Sequence, residues 1–252
     1  MGSLDQRSVL ISGGNGGIGL AMAHAVGVAG AKVVIWGRNN EKNTKAMDGL
    51  QSRGIDAHSF VCDVSDEASV EDAFQSSVAS VGGRIDSVFA NAGRGGSNTP
   101  FVDTSLSQWR DVMATNLDGV FLTLRSAARH MVENGGGSLV AVSSTSAIHG
   151  AARNEAYGAS KTALLGLVRA LAVGLARHNI RVNSLLPGWT DTELLEHGYT
   201  SEKFRTATIG RTPVRRWADP SEIGPVAVFL ADPTITFHTG DAMVFDGGYT
   251  IF

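Results

Sequence analysis

A single cysteine, Cys62, stands in the 252 residues, so no internal disulfide can form. A lone thiol of this kind reads as a small core residue in a reducing compartment. An excess of one charge is also missing. Lys and Arg total 21 against 24 Asp and Glu, a net charge of -3. That balance excludes the basic footprint of a nucleic-acid binder and a polybasic membrane surface. The start, Met1 to Arg7, lacks the apolar core of a signal peptide, and no apolar run of membrane-spanning length is expected. Linkers, repeats and low-complexity tracts are absent too. We therefore expect no nucleic-acid partner, no membrane, no metal and a cytoplasmic location. What remains is ordinary globular composition, 43% hydrophobic and 18% charged, long enough for one large α/β domain.

Short apolar runs alternate with longer helical stretches. The runs predict strands over Ser8–Ser12, Lys32–Trp36, Ala57–Cys62, Ser87–Ala90, Ser138–Val142, Arg181–Leu186 and Ala242–Phe245. Most are rich in Val, Ile and Leu without polar alternation, as in parallel strands buried on both faces. Helices are predicted over Gly17–Ala29, Glu41–Arg53, Asp66–Val81, Leu106–Glu133, Tyr157–Arg177 and Asp219–Leu230. Asn40 and the Asp219-Pro220 pair supply starting signals. Repeated strand–helix–strand units imply one α/β domain over 1–252, a doubly wound parallel sheet of about seven strands with helices on both faces.

The first strand runs into Ser12-Gly-Gly-Asn-Gly-Gly-Ile-Gly19, which opens a helix. Gly14, Gly16 and Gly19 fit one dinucleotide-loop register, and Gly13, Gly17 and Gly19 fit another; the pattern alone leaves both open. In either, missing Cβ atoms admit a pyrophosphate and helix N-terminal amides bind it. Gly13, Asn15, Gly16, Gly17, Ile18 and Gly19 are the candidate contacts. At the end of the second strand, Gly37 offers no carboxylate for ribose hydroxyls, and Arg38 can pair with a 2′-phosphate. NADP(H) is expected over NAD(H), which is not excluded, with Arg38 and Asn39 at that end. Asp63-Val64 and Asn91-Ala92-Gly93 close the third and fourth strands, where they could meet adenine and ribose; taken alone, each reads more readily as turn chemistry.

Tyr157 and Lys161 stand one helical turn apart on one face. Free tyrosine titrates near pH ~10. A fixed cation stabilises the phenolate, and moving its pKa to about 7 needs roughly 4 kcal/mol. One charge about 4 Å away at an effective dielectric of about 20 supplies that much. The pair can thus work as a general acid/base. Alone it is weak evidence, since a solvated helical Lys beside a Tyr is common.

Taken together, the chain resembles the short-chain dehydrogenase/reductases over nearly its whole length. The resemblance rests on the Gly13/Gly17/Gly19 loop, Asp63-Val64, Asn91-Ala-Gly93, Asn116, Ser143-Ser144, Tyr157-x-x-x-Lys161, Arg181-Val-Asn183, Pro187-Gly188 with Thr192, and Asp246-Gly-Gly248. Ser12 replaces the usual Thr and Ala90 a frequent Asn; neither change removes a catalytic group. The resemblance implies a Rossmann-type fold and hydride transfer between a nicotinamide and a carbonyl/alcohol pair. It makes Tyr157 the proton donor in reduction, Ser144 a hydrogen bond to the substrate oxygen, and Lys161 a partner of both Tyr157 and the nicotinamide ribose. Asn116 would support a water-linked proton path. Pro187, Gly188, Thr190 and Thr192 would meet the carboxamide. A tetramer is also expected, partly from the small and apolar residues of the two long helices.

Other residues are less distinctive. His24 and His130 read as structural. Arg94, Ser146, Arg153 and Trp189 are the candidate substrate contacts, with His149 beside them; a surface or core role is about as plausible for each. Thr192–Trp217 is polar, weakly periodic and rich in arginine, and is expected to be a mobile substrate lid. Its arginines read as solvated or subunit contacts. The leading reading is an NADP(H)-dependent ketone reductase or alcohol dehydrogenase acting on a small molecule. A 3-oxoacyl-thioester reductase, a sugar or polyol dehydrogenase, and a non-catalytic nucleotide sensor on the same fold are the alternatives.

Overall fold

The computed structural model describes residues 3–193 and 201–252. Seven parallel strands form one sheet in the order β3-β2-β1-β4-β5-β6-β7. They are β1 (Ser8–Ser12), β2 (Lys32–Gly37), β3 (Ala57–Val61), β4 (Ser87–Ala90), β5 (Gly137–Val142), β6 (Ile180–Pro187) and β7 (Ala242–Phe245). Each matches a predicted run within a residue or so at either end.

Alternate residues along each strand face opposite sides, which gives the sheet two cores. Leu10, Val34, Val88, Leu139 and Val182 face one side. There they meet α3 (Glu67–Ser80), α5 (Gly119–Glu133) and α6 (Glu155–Leu175). Val9, Ile11, Val33, Ile35, Phe89 and Val140 face α1 (Gly17–Val28) and α2 (Asn40–Gln51). The last helix, Gly224–Ala231, completes that layer. Side-chain caps start the helices where the sequence placed polar residues. Asp66 accepts from Ala68 and Ser69, and Ser105 forms a capping box with Gln108. The cap of α2 is Asn39 rather than the expected Asn40, which lies in the helix.

Three expectations need correction. The predicted helix Leu106–Glu133 is broken. α4 (Leu106–Met113) passes through a π-helical turn, Ala114–Asp118, before α5 begins. Gly119 lets this turn approach β3's exit, since a Cβ there would lie 2.7 Å from Val64 Cγ2. Second, the segment read as weakly periodic contains a helix, α7 (Glu202–Arg211), capped by Ser201. The helix predicted from Asp219 begins as a 3-10 turn, Pro220–Ile223, and continues as α8 (Gly224–Ala231). Third, α6 with the turn after it, Glu155–His178, is long and apolar enough to cross a membrane by length and composition, which the sequence reading denied. In this fold it packs on the sheet through Ser160, Leu164, Val168 and Ala172, and buries Lys161.

Candidate active site

Sheet order reverses between β1 and β4, so the carboxyl ends of the strands open a crevice there. A latch holds its two sides. Ser12 Oγ accepts from the Asn91 and Ala92 amides at 3.0 and 3.1 Å, and Asn91 Nδ2 donates to Ser12 O and Gly13 O. Serine at this position therefore keeps the hydroxyl that the latch needs.

The backbone decides between the two glycine registers. Gly13 and Gly17 have positive φ, 64° and 49°. A Cβ on Gly19 would lie 2.1 Å from Gly13 O. Gly16 is extended and a Cβ there would meet nothing within 4 Å. Gly14 is closed to a side chain as well, since a Cβ there would lie 2.6 Å from Ile35 Cγ2, so it is open Gly16 that disfavours the Gly14/Gly16/Gly19 register, whereas Gly13, Gly17 and Gly19 are all demanding. Gly16 caps α1 without a side chain, which leaves the first amides of the helix for a ligand.

At the end of β2, Gly37 is fixed by its neighbours as well. A Cβ there would lie 2.1 Å from Asn15 Nδ2 and 2.4 Å from Asn43 Oδ1. Asn43 is buried and was missed from sequence. It accepts from Asn15 at 2.7 Å and donates to Gly37 O and Phe60 O, so it ties the glycine loop to β2 and β3. A polar residue sharing a helix face with Ala46 and Leu50 was the available signal. Arg38 lines the crevice and lies 3.9 Å from Asp63. Ser65 bonds to Asp63 and lowers its pKa, with a smaller contribution from Arg38.

Tyr157 and Lys161 sit on the opposite wall. Lys161 is 3% exposed, and its Nζ donates to Val142 O at 2.8 Å. The ammonium lies 5.6 Å from the centre of the Tyr157 ring. Burial pushes the Lys161 pKa down to about 8. Ser143 Oγ donates to Lys161 O, fastening α6 to β5. Ser144, next along, turns its Oγ to accept from Ser146 N at 3.1 Å. Below them Asn116, fully buried in the π-helical turn, clamps Arg94. It accepts from Arg94 N at 2.8 Å and donates to Arg94 O at 2.9 Å. A Cβ on Gly93 would lie 3.4 Å from Asn116 Oδ1 and 3.5 Å from Lys161 Nζ. π-Helical turns recur at functional sites because they re-aim a side chain. Both ends of the Asn116 amide are taken by main chain, so its side chain positions the Asn91–Arg94 turn.

These walls enclose a cleft of about 620 Å³. Its lining joins Gly13, Asn15, Gly16, Gly17, Ile18, Gly19, Arg38, Asn91, Ala92 and Gly93 with Ser144, Ser146, Tyr157 and Lys161, and with Pro187, Gly188, Trp189, Thr190 and Thr192. Asn39, Asp63, Val64, Arg94, Asn116 and Arg153 are not among the lining residues. Asn39 is committed to capping α2, and Arg153 stands at positive φ with its amide on Glu155. Lys42, Asn154 and Glu193 line the cleft and were not singled out from sequence. Asn154 Oδ1 accepts from Gly96 N at 2.9 Å, holding the loop after β4 against the start of α6.

The segment expected as a lid is described in part; 194–200 lie outside the described residues. Its later half is held by aromatic rings. Trp189 stacks on Trp217 at 6.2 Å and meets Phe204 and Tyr249 edge-on. Trp217 Nε1 donates to Thr208 Oγ1 at 3.0 Å. The arginines read as solvated or subunit contacts are exposed, and each also has a partner within the chain. Arg205 meets Asp191 and the Trp217 ring, Arg211 the Tyr249 ring, Arg215 the Phe252 ring, and Arg216 pairs with Glu222. His24 and His130 are structural as expected. His24 lies 2.9 Å from Arg53 Nη1, and His130 accepts from Ile85 N.

Comparison with known proteins agrees with this geometry. A family model described as enoyl-(acyl carrier protein) reductase matches residues 13–250. The chain belongs to that family, within the short-chain dehydrogenases/reductases, and is an oxidoreductase of that class. It is 33% identical to gluconate 5-dehydrogenase of Gluconobacter oxydans, covering 99% of this chain and 96% of that one. It is 34% identical to 5-keto-D-gluconate 5-reductase of Escherichia coli, covering 99% and 97%. The crystal structure of a gluconate 5-dehydrogenase from Burkholderia cenocepacia in complex with NADP and tartrate superposes with a TM-score of 0.93. It is 33% identical, with 99% and 97% of the two chains covered.

Proposed function

We propose that the protein is an NADP(H)-dependent reductase of a small ketone, working reversibly on the secondary alcohol, and that its substrate is a polyhydroxylated acid of the gluconate kind. The observation that carries the reaction is one cleft that joins the glycine loop and Arg38 to Tyr157 and buried Lys161. The residues fit a dinucleotide, since positive-φ glycines leave a cradle beside the uncapped start of α1. NADP(H) bound there supplies or accepts the hydride. Tyr157 gives its phenolic proton to the carbonyl oxygen during reduction and takes one back during oxidation. Lys161, charged below about pH 8, favours the phenolate. Ser144 Oγ, held by Ser146 N, keeps its own proton to donate to the same carbonyl oxygen. Asn116 is a positioning residue that fixes the turn under the ribose end of the cleft.

The names of the relatives support the substrate class, and Ser144, Ser146 and Asn154 give the cleft polar edges for hydroxyl groups. A relative named 3-oxoacyl-[acyl-carrier-protein] reductase, 31% identical to this chain, keeps a 3-oxoacyl thioester as the second reading. Unpaired, buried Cys62, whose thiol burial pushes up to about 11, supports the cytoplasm as the location. Exposed Phe121 and Val173 on α5 and α6, with Phe229 and Val244 near the β7 edge, support a homotetramer; light scattering tests it.

NADPH and NADH oxidation, followed with 5-keto-D-gluconate, simple ketones and a 3-oxoacyl thioester, tests the reading. We expect the keto acid to be the best substrate and NADPH the better cofactor. Arg38→Ala should lower that cofactor preference roughly ten- to a hundred-fold, the range of one charged hydrogen bond. A wild-type preference for NADH would refute the assignment of Arg38. Turnover confined to the thioester would favour the second reading.

A further inference from the structure

An ion pair bridges the nucleotide cleft. Lys42, in the first turn of α2, donates from Nζ to Glu193 Oε2 at 2.6 Å, across 151 positions of sequence. Both residues line the cleft. Lys42 belongs to the wall that carries Arg38, whereas Glu193 belongs to the segment leaving β6. Its neighbour Thr192 already lies over the glycine loop, 3.3 Å from where a Cβ on Gly17 would stand.

The two ends of this pair differ in how they are held. The Lys42 amide donates to the Asn39 cap, and the next residue, Asn43, is the buried clasp between β2, β3 and the glycine loop. Its backbone is fixed, and only the four-carbon stem and ammonium can move. The pair itself is half exposed on the Lys42 side and more so on the Glu193 side, so it adds little to stability. Both cations on this wall have a carboxylate partner, Arg38 with Asp63 and Lys42 with Glu193.

We propose that Lys42 is a specificity-determining residue for the 2′-phosphate, and that Glu193 competes with the phosphate for it. This rests on the NADP(H) reading above. A phosphate monoester carries about -1.5 to -2 charge near pH 7 against the single charge of a carboxylate, so it is the stronger acceptor. When the phosphate binds, Lys42 Nζ exchanges Glu193 for a phosphate oxygen, and the contact between α2 and the segment after β6 is broken. NADH has no such phosphate and leaves the pair in place. The nucleotide thereby reports its phosphate to the segment that borders the nicotinamide end.

Dissociation constants of NADPH and NADH, measured by titration calorimetry on the intact protein, test this. Lys42→Met should weaken NADPH about ten-fold and leave NADH unchanged, the effect of losing one charged hydrogen bond. Glu193→Gln should tighten NADPH about two- to five-fold, because the competitor is gone, and leave NADH unchanged. In the Lys42→Met background that gain should vanish, since the two effects run through one ammonium. Equal weakening of both nucleotides by Lys42→Met, or no effect on either, overturns the proposal. So does a Glu193→Gln gain that persists without Lys42, which would make Glu193 a plain repulsive charge. Arg38→Ala separates this from the parent reading. If wild type prefers NADPH and Arg38 carries the preference while Lys42→Met is silent, only the present inference fails. If wild type prefers NADH, both fail.

Discussion

Beneath the cleft, Asn116, Ser143, Ser160 and Lys161 are each at most 4% exposed and bond to main-chain partners. Above it, Lys42 with Glu193, Arg205 with Asp191 and Arg216 with Glu222 are ion pairs open to water, and Arg205 also lies over the Trp217 ring of an aromatic stack. The floor holds one charge where solvent cannot relax around it, which makes that charge effective on a neighbouring phenol. The roof holds its charges where solvent screens them, so the Lys42–Glu193 pair, which lines the cleft, can be given up for a ligand at small cost. In the function proposed above, chemistry belongs to the first arrangement and recognition to the second.

The largest expected effect tests the floor. Tyr157→Phe keeps the ring over Lys161 and removes the proton. We expect kcat to fall by about 10²–10⁴-fold, the usual range for losing a general acid. Nucleotide affinity should stay within about two-fold of wild type, because the glycine loop and Arg38 are untouched. Steady-state kinetics with parallel binding titrations provide the check. Near-normal kcat would show that the Tyr157–Lys161 pair is structural.

Lys161 gives the next effect, on stability. Its folded pKa, about 8, lies below the ordinary value of 10.5. Between those values the unfolded chain binds the extra proton, so stability rises with pH across that window. Below about pH 8 the buried charge is carried in both states and its cost is complete. At ~1.4 kcal/mol per unit, the difference is on the order of 3 kcal/mol. Relative to Lys161→Met, the wild type should therefore gain stability from pH 8 upward, in denaturant unfolding without nucleotide. A flat difference over pH 7 to 10 would mean that the ammonium is solvated.

Floor and roof also differed in how far the sequence disclosed them. The strands were legible because Val- and Ile-rich runs buried on both faces have few other solutions. Tyr157, Lys161 and the glycine loop were legible because their chemistry needs fixed spacings along the chain. Asn43 and Asn154 were not, since each acts across a long sequence separation on a backbone group that no local pattern announces. The break at Ala114–Asp118 was hidden for a different reason. A π-turn keeps helical composition and changes only the phase of the side chains. The segment after β6 misled most. Its polarity was visible, but Trp189, Phe204 and Trp217 meet only after the chain has turned back on itself, through the Thr190–Ala218 bridge.

That anchoring yields the smallest expected effect. Arg205 lies 4.6 Å from the centre of the Trp217 ring and 3.5 Å from Asp191, with its side chain half exposed. Exposed cation–π contacts and ion pairs each contribute about 0.5–1 kcal/mol or less. Arg205→Ala should therefore lower Tm by about 1–3 °C and leave kcat nearly unchanged. Hydrogen exchange then sharpens the contrast within the roof itself. Thr208 and Thr212 are buried, and Trp217 is fastened to Thr208, so amides of α7 should be protected before any ligand binds. Thr192 and Glu193, held by exposed contacts, should exchange fast alone and slow when nucleotide and substrate are both present. Such a split would place the closing element of the lid immediately after β6, with α7 as its fixed base. Uniformly fast exchange over Glu202–Trp217 without ligand would show instead that the aromatic stack forms only on closure, and the roof would then be mobile as a whole.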